Sequence, residues 1–461
     1  MNGRADADVT YDVAVCGGGP AGVVAAVAAA RAGARTLLIE RYGFLGGNST
    51  AAGVNPWMSF HDYRGQQVIR GIGEEIVRRL RDLGGTPGHV RDTIGFVSRF
   101  VPLDHEVVKF LFDVMLKEAG VDVLLHSFLV ETGTSDGHLE RVRVATKAGY
   151  IDFRARVFVD CTGDADVAHH AGNATWTGRE ADGLTQPMTM NFRVGGVEAR
   201  PIADYMREHP EDFFEKTTWH DLEPLTGVFG FRRIWKGADL PIPRESVLFF
   251  FTPRPGEVSV NTSRVTHVSA TDPFDMTRAE QDGRRQVALL VDFFRSQVPG
   301  FRDTFLVSTP TQIGIRESRR VVGDYVLSDE DVMAGREQPD AVGRCGYPID
   351  IHSPTGRGTG HGTTEQPVYD VPYRALIARD VDNLLVAGRC LSAEHAAHSS
   401  IRITPGCFLT GQAAGAAAAL AARSRISPRE VSIEELQRLL LDQGADLGPA
   451  RARSLARQSA S

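Results

Sequence analysis

Two segments rich in histidine and arginine, and one glycine-patterned turn, carry most of the chemistry legible in this chain of 461 residues. His352 closes Gly346-Tyr-Pro-Ile-Asp350-Ile-His352, a strand-like run that opens a glycine-rich loop. Imidazole takes or gives a proton near neutral pH, so a histidine at a strand end suits a general base. Asp350 shares its parity along the strand and can orient the ring. His395 and His398 lie between the Gly388-Arg389 turn and Gly411-Gln412-Ala413-Ala414-Gly415, with Arg402 just beyond. Either histidine can face a substrate if this segment passes a reactive centre. The alternative for all three is a ring that anchors a loop or bonds to backbone.

Arginine is the second signal. Arg316-Glu317-Ser-Arg319-Arg320 is a dense charge run inside an apolar stretch. Such a run is usually a solvated face. Here the flanking glycine and β-branched residues suggest a partly buried strand end, where arginines need carboxylate partners such as Glu317 or Asp324. A bound carboxylate or phosphate is the sharper reading for Arg316. Arg402 can clamp an anionic substrate in the same way. Arg264 and Asn191 are weaker candidates. Adjacent His169 and His170 cannot both face one metal from a helix and read as structural.

The glycine pattern says what these groups would act beside. Tyr11–Cys16 reads as a buried strand, Pro20 to about Ala32 as a helix, and Thr36–Ile39 as a second strand ending at Glu40. Between strand and helix stands Gly17-x-Gly19-x-x-Gly22. Gly17 allows the tight turn, Gly19 lets backbone approach a pyrophosphate, and Gly22 lets helix and strand pack closely. Pro20 and Ala21 open the helix, whose free N–H groups favour an anion. Glu40 can accept hydrogen bonds from ribose hydroxyls. Strand, helix and acid all fall where a dinucleotide-binding unit requires them.

These groups need a scaffold large enough to hold them. Composition is that of a globular protein, 42% hydrophobic and 24% charged. A net charge of −7 without a basic block speaks against nucleic-acid partners. Five scattered cysteines form no zinc or iron–sulfur spacing, so no metal is expected, and their sparse, odd number suits a reduced cytoplasm. Met1–Thr10 does not resemble a leader, and Val23–Ala30 and Ala413–Ala422 are too short to span a membrane. Helices are expected at Gly71–Leu83, His105–Ala119, Gln281–Gln297 and Thr410–Ala422. Strands near Phe128–Thr132, Arg141–Thr146 and Tyr150–Val159 suggest a β-meander inserted into a doubly wound sheet. Texture changes between Thr185 and Val326, where Met188–Val194, Val247–Phe251 and Glu257–Val265 read as strands of a covering domain. Asn383–Ala387 returns to a buried strand, and a frayed polar tail is expected after Gly448. The fold class is therefore α/β, a discontinuous Rossmann-like domain closed by both chain ends with an inserted α+β cap. Its expected divisions are 9–184, 185–330 and 331–425, followed by 426–461 as a C-terminal helix and tail.

Further stretches discriminate among dinucleotides. Gly43-Phe-Leu-Gly46-Gly47-Asn48-Ser49-Thr50 follows the ribose acid and can wrap a diphosphate or ribityl chain. Asp160-Cys-Thr162-Gly163-Asp164 ends a later strand. Asn383-Leu-Leu-Val-Ala-Gly388-Arg389 precedes the helix expected at Gly411. A helix N-terminus at a flavin pyrimidine would stabilise the reduced ring. Together with IGIRESRRVVGDYVL (313–327), GYPIDIH (346–352) and NLLVAGRCLSAEHAAHSSIR (383–402), these residues resemble the glutathione-reductase-type flavoprotein fold. More narrowly, they resemble the FAD-dependent oxidoreductases distantly related to the fumarate reductase flavoprotein. The resemblance covers most of 11–422.

That resemblance implies bound FAD and a redox role. The expected FAD contacts are Gly17, Gly19, Pro20, Ala21, Gly22, Glu40, Arg41, Gly46, Gly47, Asn48, Ser49, Val130, Thr162, Gly163, Asp164, Gly388, Arg389, Gly411, Gln412 and Ala413. Asn48 stands about where related proteins carry a flavin-linking histidine, so FAD is expected to be non-covalent. No second strand–glycine–helix unit argues for a built-in nicotinamide domain. The expected activity is dehydrogenation of a small organic substrate, with His352 and His395 as bases and Arg316 and Arg402 as anchors. Dioxygen or an electron carrier would reoxidise the flavin. Alternatives are C=C reduction, flavin-dependent hydroxylation and, outside catalysis, an electron-transfer subunit, against which the covering domain argues. Relatives of this kind often dimerise, which makes a homodimer an open expectation, although no interface patch is legible.

Overall fold

The computed structural model describes residues 10–217, 224–356, 359–361 and 363–458, with backbone alone at 359–361 and 458. The expectation for the first nine residues, and part of the glycine-rich loop after His352, lie outside them. The opening strand Thr10–Cys16 pairs in parallel with Thr36–Ile39 on one side and with Gly149–Asp160 on the other. Val13, Ala14 and Val15 are fully buried, as a continuous apolar run must be in a parallel sheet covered on both faces. Asp122–Leu124 extends one edge.

Gly149–Asp160 serves two partners. Its first half runs antiparallel to His138–Thr146, which pairs with Phe128–Ser135, forming the meander expected from the sequence. Its second half joins the parallel sheet, where Leu384–Val386 pairs with it from far along the chain. One apolar core accordingly draws on Val13–Ala168 and on Val321–Leu455.

The long helix Thr404–Ser424 closes this unit against Pro20–Arg31. The contact is backbone to backbone. A Cβ on Gly411 would sit 2.2 Å from the Ala21 carbonyl oxygen, and one on Gly415 2.0 Å from that of Ala25. The sequence reading starts this helix six residues late. Pro405 is tolerated in the first turn because an N–H there has no helical partner, so the helix already runs at Thr404.

The inserted segment builds a five-stranded antiparallel sheet, ordered Gly227–Gly230, Val247–Phe251, Val258–Val260, Phe192–Gly195, Phe305–Ser308. Helix Pro273–Gln297 packs on it through Val287, Leu290 and Phe294, and a second core spans Met188 to Ile315. That helix begins eight residues before the expected point, because the Asp272 carboxylate accepts from the N–H groups of Phe274 and Asp275. Residues 449–458 form a helix rather than a frayed tail, with Arg451 pinned to the Gln338 carbonyl and to Asp370. Among the described residues no helix is long and apolar enough to cross a membrane.

Candidate active site

Two cavities meet at the junction of the sheets, and they differ in construction. The first is a cradle of backbone. The chain leaves the opening strand at Gly17 with φ +102°, where a Cβ would lie 2.3 Å from the Cys161 carbonyl oxygen. The following helix is capped by Gly19 with no side-chain cap, so its first N–H groups remain free. Gly17, Gly19, Pro20, Ala21, Glu40, Arg41, Gly47, Asn48, Thr162, Gly163, Gly388 and Arg389 all line this cavity, with Thr404. A smaller hollow continues past Glu40 and Arg41 to Ser127, Phe128 and Leu129.

Several expected contacts are placed otherwise. Val130 follows Leu129 but does not line the hollow. Gly22 sits beneath the turn, where a Cβ would be 1.8 Å from the Gly17 carbonyl oxygen. Gly46 ties the next loop to the turn by donating its N–H to the Gly18 carbonyl. Ser49 is buried and accepts from the Trp57 indole. Asp164 is buried behind the cradle, 2.9 Å from Arg389. Burial works to raise its pKa, but Arg389 and the Ser318 hydroxyl hold it below the usual carboxylate value. Gly411 is spent on the helix contact, Ala413 is core, and Gln412 Oε1 accepts from the Ile72 N–H. The expectation that these three residues open a helix at the cofactor is corrected: Thr404 lies at that end.

Glu40 is buried, and its carboxylate accepts from the N–H groups of Gly18 at 2.6 Å and Tyr42 at 2.9 Å. Burial nonetheless pushes its pKa up. An uncapped helix, a turn that only glycine fits and a buried acid at the next strand end suit the diphosphate and ribose of a dinucleotide. The residues present therefore fit FAD.

The second cavity is a chamber of side chains enclosing about 200 Å³. It shares Asn48, Arg402 and Thr404 with the cradle. One wall is apolar, made by Ile94, Phe96, Phe229, Leu248 and Phe250. The other holds Arg244, Arg316, Arg402, Asn191, Asn261, Tyr347, Asp350 and His352. Three arginines face it with one carboxylate, Asp350, among the described lining residues. Arg316 donates to the Pro187 carbonyl at 2.7 Å, to the Thr189 hydroxyl and to Asn261 Oδ1 at 3.1 Å, all neutral acceptors. Burial lowers its pKa well below the guanidinium value, and Arg402 and Arg244 push the same way. Arg244 donates to the Asn261 carbonyl, and burial brings it down to about 10. Arg402 donates to Gln186 Oε1 at 3.2 Å and to the Asp350 carbonyl at 3.3 Å. Arg264 lies behind this wall, bonded to the Ser353 carbonyl at 2.6 Å.

His352 reaches the chamber as expected from its strand end. Its Nε2 lies 3.5 Å from Asp350 Oδ2, which also accepts from the Tyr347 hydroxyl at 3.2 Å. Burial, with Arg316 adding to it and Asp350 opposing, depresses its pKa to about 3, so the ring is neutral at pH 7. His395 does not line the chamber. It opens helix His395–Ile401 with Nδ1 2.9 Å from Glu317. His398 is fully buried on the Arg389 carbonyl. The run at 316–320 disperses: Arg316 to the chamber, Glu317 to His395, Arg319 to Asp166 and Arg320 to the Gly178 carbonyl. His169 and His170 are exposed, and no group of residues among those described is arranged to hold a metal. The sequence reading missed Arg244, Asn261, Gln186 and the apolar wall, none of which carries a motif.

The family model described as FAD dependent oxidoreductase matches residues 12–440, and the chain belongs to that family. No curated protein matches its sequence. Among solved structures, p-nitrophenol 4-monooxygenase of Pseudomonas putida is similar at 13% identity and a TM-score of 0.51, over 97% of this chain and 93% of that one. A geranylgeranyl bacteriochlorophyll reductase-like protein of Thermoplasma acidophilum is similar at 14% identity and 0.45, over 95% and 84%. A myxobacterial chondrochloren halogenase gives 14% and 0.48, over 94% and 78%. The fold is thus that of the FAD flavoproteins, and FAD is the cofactor.

Proposed function

We propose that this FAD dependent oxidoreductase oxidises a small organic anion held in the chamber beside its cofactor. The observation that carries the reading is the wall of Arg244, Arg316 and Arg402, the first buried and the other two partly buried, with Asp350 as the one carboxylate among the described lining residues. Cations drawn partly or wholly out of water favour a counter-charge, and their protein hydrogen-bond partners here are neutral. An anion with an apolar body satisfies both walls at once.

FAD, when bound non-covalently in the cradle, supplies a two-electron acceptor, or, once reduced, the means to activate dioxygen. The protein's share is positioning and proton handling. Arg316 and Arg402 anchor the anion, and Asn48 and Thr404 stand where substrate and cofactor meet. His352, neutral and backed by Asp350, accepts the substrate's proton. An anion beside Arg316 offsets the positive charge that depresses this histidine, so binding makes it a better base.

Two outcomes of such a site are dehydrogenation and hydroxylation. Hydroxylation has the additional support of the likeness to p-nitrophenol 4-monooxygenase across nearly the whole of both chains. An aromatic ring against Phe96, Phe229 and Phe250, with its phenolate or carboxylate on the arginines, suits the chamber. Reduction of a C=C bond, as the fumarate reductase resemblance suggests, rests on shared motifs alone.

Anaerobic mixing of the FAD-loaded protein with a panel of hydroxy acids, amino acids and phenolic acids tests the reading. Bleaching by substrate alone means dehydrogenation. Bleaching only with an added reductant, and product only with dioxygen, means hydroxylation. His352→Ala is expected to slow the productive reaction about 10²–10⁴-fold while FAD stays bound. Unchanged rates in that variant would remove the base assignment.

A further inference from the structure

One buried amide touches both halves of the proposed chemistry. Gln186 is 1% exposed, and its Oε1 accepts two hydrogen bonds at 3.2 Å. One comes from the backbone N–H of His352, the other from Nη2 of Arg402. The Nε2 of the same amide is buried with no partner among the described residues. Leucine would fill a similar volume without leaving a buried donor unmatched. An unmet donor in a native interior calls for an explanation, and here the acceptor oxygen supplies it.

The residue is tethered from behind. Its backbone N–H donates to Glu317 Oε2 at 3.0 Å. Glu317 is itself 1% exposed, with Oε1 2.9 Å from His395 Nδ1 and 3.5 Å from Arg320. His395 and Arg320 keep it a carboxylate at depth, the former by hydrogen bond and both by charge, although burial opposes them. His395, which the sequence presents as a candidate base, and Glu317, which it presents as a partner for arginine, thus lie outside the chamber and hold the segment that carries Gln186.

We propose that Gln186 is a positioning residue that couples the His352 strand to the Arg402 guanidinium, with Glu317 as its anchor. This rests on the reading of His352 and Arg402 as base and anion anchor. The amide holds two groups from separate segments in one relative position, so an anion seated on Arg402 stands at a set distance from His352. Two hydrogen bonds shared by one buried acceptor are a direct way to fix such geometry.

The test uses the FAD-loaded full chain, with benzoate as the probe and the visible flavin spectrum as readout. Gln186→Leu is expected to bind benzoate about tenfold more weakly, the loss of one hydrogen bond to a charged group, while FAD stays bound. Glu317→Gln is expected to give a smaller loss, because an amide oxygen still accepts the Gln186 N–H. Crystal structures of the parent, Gln186→Leu and Gln186→Glu test the positioning without a ligand. The leucine variant leaves Arg402 its 3.3 Å hydrogen bond to the Asp350 carbonyl, and the guanidinium is expected to shift relative to His352; the glutamate variant, which keeps an acceptor oxygen, is expected to restore it. Arg402 and His352 unmoved in Gln186→Leu would overturn the proposal. A parent protein that binds no benzoate would count against the anion chamber, while the crystal structures would still decide the role of Gln186.

Discussion

The cradle and the chamber adjoin at Asn48, Arg402 and Thr404, yet they recognise their occupants by opposite means. The cradle uses backbone: a turn at Gly17, an uncapped helix start and strands that end together. The chamber uses side chains that come from segments scattered from Asn48 to Thr404. A backbone site depends on local conformation and close approach. A side-chain site depends on which distant segments pack face to face. The cradle is therefore sensitive to a single methyl group, and the chamber to the loss of a charge.

Gly17→Ala should show the difference most strongly. Its new Cβ meets the Cys161 carbonyl at 2.3 Å and sits on a left-handed residue. The expected cost is about 2–6 kcal/mol from strain and overlap, with loss of bound flavin colour. Thermal denaturation together with absorbance of the purified protein checks this. A yellow, normally stable Gly17→Ala would break the account of the cradle.

Arg316→Met should act in the chamber without touching the cradle. Benzoate affinity is expected to fall about 30-fold, the cost of losing one partner of a charged contact that the bound anion shields from water. Stability should stay level or rise by about 1 kcal/mol, because a partly buried charge hydrogen-bonded only to neutral acceptors is removed. Calorimetric titration and urea unfolding read the two effects separately. Equal losses of both would mean that Arg316 is part of the scaffold.

His398 tests whether a histidine of the catalytic-looking segment is structural. Burial holds its pKa at about 3, with Arg320 and Arg402 adding to the depression and Glu317 opposing. The unfolded chain binds that proton near the ordinary value of 6.5, so its contribution is lost as pH falls from about 6.5 toward 3. From pH 7 to pH 5, His398→Gln should lose about 2 kcal/mol less stability than the parent. Asp92 and Asp160, raised to about 6 by burial, act in the opposite direction but in both proteins alike. Equal pH slopes from urea unfolding would mean that His398 is not buried in its neutral form.

The smallest effect is expected at Gln412. Gln412→Leu removes the acceptor for the Ile72 N–H and should cost about 1 kcal/mol with an unchanged flavin spectrum. A shifted spectrum would return Gln412 to the cofactor, where the sequence reading had it.

The contrast between the regions also explains what was legible. The first strand, turn, helix and acid follow one another within some thirty residues, and each has a local reason for its residue type. The meander could be read from alternation in strands that are neighbours in sequence. The helix was placed from Thr410 although it starts at Thr404 with Pro405 in its first turn, and Gly411 was misread because a glycine required by helix contact resembles one required by a ligand. His352 was identified from its strand end, whereas His395 looked equally promising and turned toward Glu317.

The amino-acid order by itself determined the cradle, since a left-handed turn, a free helix end and a buried strand are set by residues close along the chain. It also determined the alternation of a discontinuous cofactor unit with an inserted sheet. Only the tertiary structure decided which arginines and histidines share a chamber. A buried side chain is defined by what surrounds it, and the surroundings of Arg316, Arg402, His352 and Gln186 come from segments that meet only when the two cores have packed together.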